Sequence, residues 1–302
     1  MHDASTSTTT NLPRLCLTTL LALIAFAANS VLCRLALATE SIDAASFTSI
    51  RLFSGAVMLS LLCLLTAKRS VANATSPKRS WQQFGSQIGA LSLFIYAMAF
   101  SLAYVSLPTG AGALILFTSV QMTMLAIAWY QGHRFTLLEM AGLLLAFAGF
   151  ILLMLPGMVA PSVGGLVLMC LAGMAWGVYT LQGRKSRAPL QDTAGNMLKT
   201  LPLAAVVAIA GVLNGHAERS GVVLAIASGA LASGVGYALW YSALRSLSAP
   251  LAAVLQLSVP LLAAAGGILW MGEVLTPVLM VSGVMTLGGI GLVIFARSRS
   301  AH

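Results

Sequence analysis

The residues able to do chemistry here are few and scattered along apolar runs. Asn29 and Ser30 interrupt the first run, and an amide in lipid has to face the protein interior to find a partner. Tyr96, Phe100 and Tyr104 recur at i, i+4, i+8, and Tyr237, Trp240 and Tyr241 at i, i+3, i+4, so each set lies on one face of a helix. Two such aromatic stripes could stack on a planar solute or simply pack a core. Trp176 lies in mid-run with Tyr179 and Thr180 beside it, where anchoring at the membrane interface explains it poorly. Gln121 forms a second polar set with Gln256, Ser258 and Pro260. Pro260 frees a backbone carbonyl that a neighbour or a solute must satisfy. These residues suit binding an amphipathic small molecule: Asn29, Ser30, Tyr96, Phe100, Tyr104, Gln121, Trp176, Tyr179, Thr180, Tyr237, Trp240, Tyr241, Gln256 and Ser258. A bland reading stands beside this one, with interhelical bonds, kinks and core packing accounting for the same residues.

Other chemistries find no support. The seven acidic residues are Asp3, Glu40, Asp43, Glu139, Asp192, Glu218 and Glu273, all in tails, loops or helix ends. No paired carboxylates, phosphate-binding loop or hydrolase elbow occurs, so an enzyme is not expected. The four cysteines have no C-x-x-C spacing and the four histidines are dispersed, so neither metal nor cofactor is expected. Arg51 and Lys199 are the charges deepest in apolar runs. Either could attract a carboxylate. Both are expected near helix ends, where they could snorkel to the interface, and Arg51 could pair with Asp43 or Glu40.

What positions these residues is a membrane fold. The chain is 59% hydrophobic and 8% charged, with a mean hydropathy of +0.93. Soluble domains carry roughly 25% charged residues. The net charge of +9 is spread over short loops, without aromatic-basic patches, so nucleic acid is not an expected partner. Ten apolar runs of spanning length follow a Ser/Thr-rich tail over 1–11: about 14–37, 45–66, 83–105, 109–130, 137–156, 162–182, 194–213, 221–244, 249–271 and 277–296. With both termini in the cytoplasm, all but Arg34, Arg51 and Arg219 of the sixteen basic residues fall on the cytoplasmic side.

The chain also repeats itself. At an offset of 140, Leu107 matches Leu247, Gly132 matches Gly272, Thr136 matches Thr276, Met140 matches Met280 and Gly149 matches Gly289. An odd number of spans per repeat inverts the second half, a recurring build for secondary transporters. The expected fold is all-α: ten transmembrane helices in two inverted five-helix repeats, 12–157 and 161–298, after the disordered tail.

Ten spans, two repeats, the G-E-x-x-T turn at Gly272, Glu273 and Thr276, Arg51 in span 2 and the glycines of span 10 resemble the EamA-type members of the drug/metabolite transporter superfamily. Within it the chain looks most like the YddG-type exporters of aromatic amino acids. The resemblance implies a central cavity walled by spans 1, 3, 4, 6, 8 and 9, alternating access, and a place in a bacterial inner membrane. Two departures stand out. His133 takes the place of Glu273 in the first repeat, and no Asp or Glu lies between Thr10 and Thr39, where the small multidrug resistance relatives carry an acidic residue. The leading function is export of aromatic or apolar amino acids. The alternatives are efflux of lipophilic cations and a non-transporting scaffold. Expected partners are a small-molecule substrate and the lipid bilayer; a monomer is expected, with the glycines of spans 5 and 10 as an alternative dimer face. Glu273 is expected to cap span 10 beside Thr276.

Overall fold

The computed structural model describes residues 12–70, 84–132, 134–154, 162–184, 186–244, 246–247 and 249–300. The tail over 1–11, most of the expected 67–82 loop and His133 lie outside the described residues. Among those described, every regular element is helical; one isolated bridge joins Ile42 and Ala217. In order these are α1 (Leu12–Ala38), α2 (Ala44–Ser70), α3 (Gln87–Tyr104), α4 (Thr109–Tyr130), α5 (Leu137–Met154), α6 (Val163–Gly183) and α7 (Pro189–Asn214). Then follow α8 (Arg219–Ile226), a π-helical stretch (Ala227–Val235), α9 (Gly236–Leu244), α10 (Ala249–Gln256), α11 (Val259–Met271) and α12 (Pro277–Ser300). Among the described residues, eight spans are long and apolar enough to cross a membrane, α8, the π stretch and α9 counting as one; Leu137–Leu153 and Val259–Met271 are shorter apolar helices. Leucines such as Leu20, Leu64 and Leu144 face outward, as a lipid solvent demands.

Two expected spans are not regular helices. The span expected over 249–271 breaks at Leu257–Ser258, just before Pro260. The proline at the second position of α11 has no N–H to give, so the helix restarts there. The Ser258 hydroxyl donates back to the Leu255 carbonyl at 2.7 Å. The span expected over 221–244 carries the nine-residue π stretch, which is rich in glycine and serine. Its Gly229 lies against the Arg51 carbonyl of α2, where a Cβ would collide with backbone. That close approach brings Ser228 and Ser233 to the centre of the molecule.

The offset of 140 is visible in the backbone. Gly132 and Gly272 both adopt positive φ, at 90° and 65°. Four residues on, Thr136 and Thr276 start the next helix in the same way: each side-chain oxygen accepts from the backbone N–H three residues later, at 3.2 Å in both. Helix pairing links the two halves: α2 lies along α7, α5 along α12, α3 along α6, and α1 along α9 and α11. Gly289 of α12 sits against the backbone of Gly142 and Ala146 in α5. It is thus occupied within the chain, while Gly288 faces open space.

At the end where α1 finishes, hereafter the far end, the loops are stitched together. The Asp43 N–H donates to the His216 carbonyl at 3.0 Å, and the Glu218 N–H to the Ser41 carbonyl at 2.8 Å. Asp43 caps α2, its Oδ1 accepting from the backbone N–H of Ala45 and Ser46, each at 2.9 Å. Partial burial would raise the Asp43 pKa, but hydrogen bonds from Ser46, Ala45 and His216 outweigh it and hold the carboxyl below its usual range. A depressed carboxylate stabilises the fold above its unfolded pKa, and that contribution is lost as pH falls through the folded value. Asp43→Ala is therefore expected to lower the melting temperature of purified protein at pH 7, by the equivalent of about 1 kcal/mol for a lost cap. The difference should shrink below pH 3, and an equal loss at both pH values would show that charge plays no part.

Candidate functional site

The site builds outward from a cluster where α1, α2, α3 and the π stretch meet. Asn29 is central. Its amide donates to the Tyr96 hydroxyl at 3.2 Å, and its carbonyl accepts from the Ser228 hydroxyl at 2.6 Å. Both groups of the amide are thus engaged, which explains how it survives 94% buried within an apolar run. Ser30, next to it, is buried as well. From α2, Arg51 Nη2 donates to the same Tyr96 hydroxyl at 3.2 Å. Its guanidinium carbon lies 5.2 Å from the Tyr96 ring centroid and 4.9 Å from that of Phe100.

Arg51 departs from the expectation of snorkelling or of pairing with Asp43 or Glu40. It is 2% exposed and forms no ion pair among the described residues. Its backbone carbonyl lies against Gly229 of the π stretch, and its guanidinium packs on Tyr96 and Phe100 of α3. Lys199 is positioned differently: its ammonium donates to the carbonyls of Phe84 and Gly85 at 2.9 and 3.1 Å, tying α7 to the start of α3.

Aromatic rings continue from this cluster. The Trp176 ring centroid is 4.7 Å from Tyr96, 5.3 Å from Tyr179 and 5.3 Å from Tyr237. Phe26 of α1 meets Tyr237 at 6.0 Å and Trp240 at 5.7 Å. Two cavities flank this array. The larger, about 340 Å³, reaches the end where α6 finishes and α7 begins. Gln121, Trp176, Tyr179, Thr180, Tyr237, Trp240, Tyr241 and Gln256 line it, with Met124, Leu244 and Leu247. Gly183, Arg184, Ser186 and Pro189 form its mouth, and among the described residues no acidic side chain lines it. The smaller, about 20 Å³, is bordered by Phe26, Asn29, Ser30, Tyr96, Phe100, Phe117, Ser233 and others. Trp176 and Tyr237 line both cavities and stand between them.

Of the fourteen residues singled out from sequence, the structure thus gathers twelve around these two spaces. Tyr104 and Ser258 line neither. Tyr104 turns its hydroxyl to the Thr109 carbonyl at 3.2 Å, and Ser258 serves the helix break. Sequence reasoning missed Phe26 and Met124, apolar residues in apolar runs that carry no local signal. It also missed the depth of Arg51.

At the far end Glu273 ties three elements together. Its carboxylate accepts from the Thr109 backbone N–H and hydroxyl, each at 2.9 Å, so it caps α4 from the other half of the chain. It also lies 3.8 Å from Arg34 of α1, whose guanidinium donates to the carbonyls of Tyr104 and Val105 at 2.9 Å. This corrects the expectation that Glu273 caps span 10; Thr276 does that alone through the Leu279 N–H. A carboxylate at a helix N-terminus is favoured by the free N–H groups and the helix dipole.

The chain can now be placed by comparison. Two segments, residues 14–155 and 163–295, each match the EamA-like transporter family. The chain belongs to that family. EamA-like proteins are multi-pass membrane transporters rather than enzymes, so a small-molecule substrate and a lipid environment follow. An uncharacterized protein of Pseudomonas aeruginosa is 48% identical over 284 residues, covering 94% of this chain and 96% of that one. A solved crystal structure shares the fold with a TM-score of 0.61 at 20% identity, over 92% of this chain and 97% of the other.

The Glu273 contacts predict that removing them loosens the far end. In a variant whose other cysteines are replaced, Glu273→Gln should raise the rate at which a membrane-impermeant thiol reagent modifies buried Cys33 several-fold. Unchanged labelling would mean the far end is held by other contacts.

Proposed function

We propose that this EamA-like transporter exports small amphipathic metabolites, foremost aromatic or apolar amino acids, by alternating access. The proposed substrate site comprises Asn29, Ser30, Tyr96, Phe100, Tyr104, Gln121, Trp176, Tyr179, Thr180, Tyr237, Trp240, Tyr241, Gln256 and Ser258, with Tyr104 and Ser258 acting from outside the two cavities. The observation that carries the reading is the 340 Å³ cavity, with aromatic walls and few polar groups. Its size falls in the range of small-molecule sites, roughly 300–1,000 Å³, and such sites pair apolar walls with a few placed polar groups. Gln121, Thr180 and Gln256 supply the polar groups, while Trp176, Tyr179 and Tyr237 supply faces on which a planar side chain stacks.

We further read the two halves as inverted repeats with both termini cytoplasmic, in a bacterial inner membrane. Helix pairing supports this: exchanging each span with its counterpart five spans on maps α2 with α7 and α5 with α12 onto themselves, and turns α3 with α6 into α9 with α1. In that orientation the large cavity faces the cytoplasm and the Glu273 contacts close the outer side, an inward-open arrangement that loads substrate for export. The YddG-like narrowing to aromatic amino acids rests on the aromatic walls.

Efflux of lipophilic cations is the second reading. The absence of acidic residues among the lining of the large cavity counts against it, because a cation in a low-dielectric site needs a compensating charge.

Purified protein in liposomes should move phenylalanine or tryptophan down its gradient. Trp176→Ala and Gln256→Ala should each lower that flux about tenfold, equivalent to about 1.4 kcal/mol, with expression and thermal stability near wild type. Loss of folded protein in both variants would mark these residues as core, and flux of lipophilic cations without competition from amino acids would favour the second reading.

A further inference from the structure

Among the described residues, three hydrogen-bond donors at the inner cluster lack acceptors. The Tyr96 hydroxyl accepts from both Asn29 Nδ2 and Arg51 Nη2, which fills its two lone pairs. Its own hydrogen has no acceptor among the described residues. Arg51 Nη1 is buried without a hydrogen-bond partner, and so is the hydroxyl of Ser233. Tyr96 and Ser233 both line the small inner cavity, and Arg51 backs its Tyr96–Phe100 wall. Arg51 is also a buried charge whose close neighbours are aromatic rings, a thiol at Cys33 and hydroxyls rather than a carboxylate. An unneutralised charge and unmet donors in a low-dielectric interior are costly. A monovalent oxyanion in the small cavity would offer acceptors to Tyr96 and Ser233, which line it, and would balance the Arg51 charge that backs its wall.

We propose that the Arg51–Tyr96–Ser233 cluster is the subsite for the substrate's carboxylate, so that this transporter selects carboxylates with an aromatic or apolar tail over the corresponding amines. The proposal rests on the substrate reading above and adds the head-group chemistry to it. The tail stacks on Trp176 and Tyr237, the two residues shared by both cavities, and the carboxylate passes between them. The inner space of about 20 Å³ has room for about one water, so the two rings must part for the head group to enter. The subsite therefore fills only when the Trp176 and Tyr237 rings move apart. The π-helical stretch has a role here: it carries Ser228, which fixes Asn29, and Ser233, one of the three donors. Such stretches recur at functional sites because they displace side chains from the regular helical register.

The test measures calorimetric affinity of the detergent-purified full chain for three probes: phenylalanine, phenylacetate and phenethylamine. Wild type is expected to bind both carboxylates at least tenfold more tightly than the amine. Arg51→Gln should weaken both carboxylates at least tenfold and leave phenethylamine within twofold. Ser233→Ala should cost the carboxylates about threefold, and Arg51→Lys, which keeps the charge but loses the planar fork, should retain part of the preference. Equal affinity for amine and carboxylates in wild type, or no carboxylate binding at millimolar concentration, overturns the subsite. So does a preference that survives Arg51→Gln. If Arg51→Gln does not fold, wild-type carboxylate affinity in both Ser233→Ala and Arg51→Lys overturns it instead. Arg51-dependent stabilisation by chloride, with no competition from phenylacetate, would put a free anion there and also overturn it. Liposome flux separates the two readings. Arg51-dependent phenylacetate binding without phenylalanine flux removes the exporter reading and keeps the subsite; phenylalanine flux unchanged in Arg51→Gln does the reverse.

Discussion

Lipid offers no hydrogen bonds, and this constraint shapes the whole molecule. Every backbone and side-chain polar group within the membrane has to be satisfied by the protein itself or by what it carries. Regular helices meet the demand locally, and most of the chain is regular helix. The departures are confined to places where the interior supplies partners. The π stretch faces α2 and the Asn29 amide, and the Leu257–Ser258 break is met by the Ser258 hydroxyl. The far-end loops trade backbone bonds between the α1–α2 and α7–α8 connections. Irregularity in this fold marks polar interior, and polar interior is where a solute can be handled.

The two ends of the molecule differ for the same reason. At the far end Glu273 joins α4 and α1 through Thr109 and Arg34, so its charge is compensated by a helix N-terminus and a guanidinium at once. At the opposite end the ties run from α3 to α6 and α7, through Ser86, Asn196, Asp192 and Lys199. They leave the space between α6, α9 and α10 open as the large cavity. One end is thus tied by a few polar contacts, while the other keeps a cavity lined largely by aromatic and apolar side chains.

Arg51 shows how position changes meaning. In the sequence it is one cation near the start of a helix, and snorkelling is the natural account. A lysine or arginine stem reaches several ångströms, and sequence gives no azimuth for a helix that is apolar all round. Lys199 raised the same question and has a plain structural answer, because two carbonyls of the α3 entry lie within its reach. Arg51 has no such answer. Its surroundings among the described residues are rings, hydroxyls and the Cys33 thiol.

The sequence by itself determined the solvent, the class and the repeat. Apolar runs of spanning length dictate helices in lipid whatever their packing, and paired glycines and threonines at an offset of 140 dictate matching turns and caps because positive φ and N-capping are local properties. The aromatic stripes of α3 and α9 were legible too, since helical period alone puts their members on one face. Only the tertiary structure decided which faces meet. It brought Trp176 between Tyr96 and Tyr237, recruited Phe26 and Met124, turned Tyr104 away and moved Glu273 from its own helix to another. It also drew Arg51 inward. These outcomes depend on the rotation of each helix about its axis and on close approaches at glycines such as Gly229. Those are set by contacts between segments far apart in the chain, and in an all-round apolar helix no local pattern encodes them.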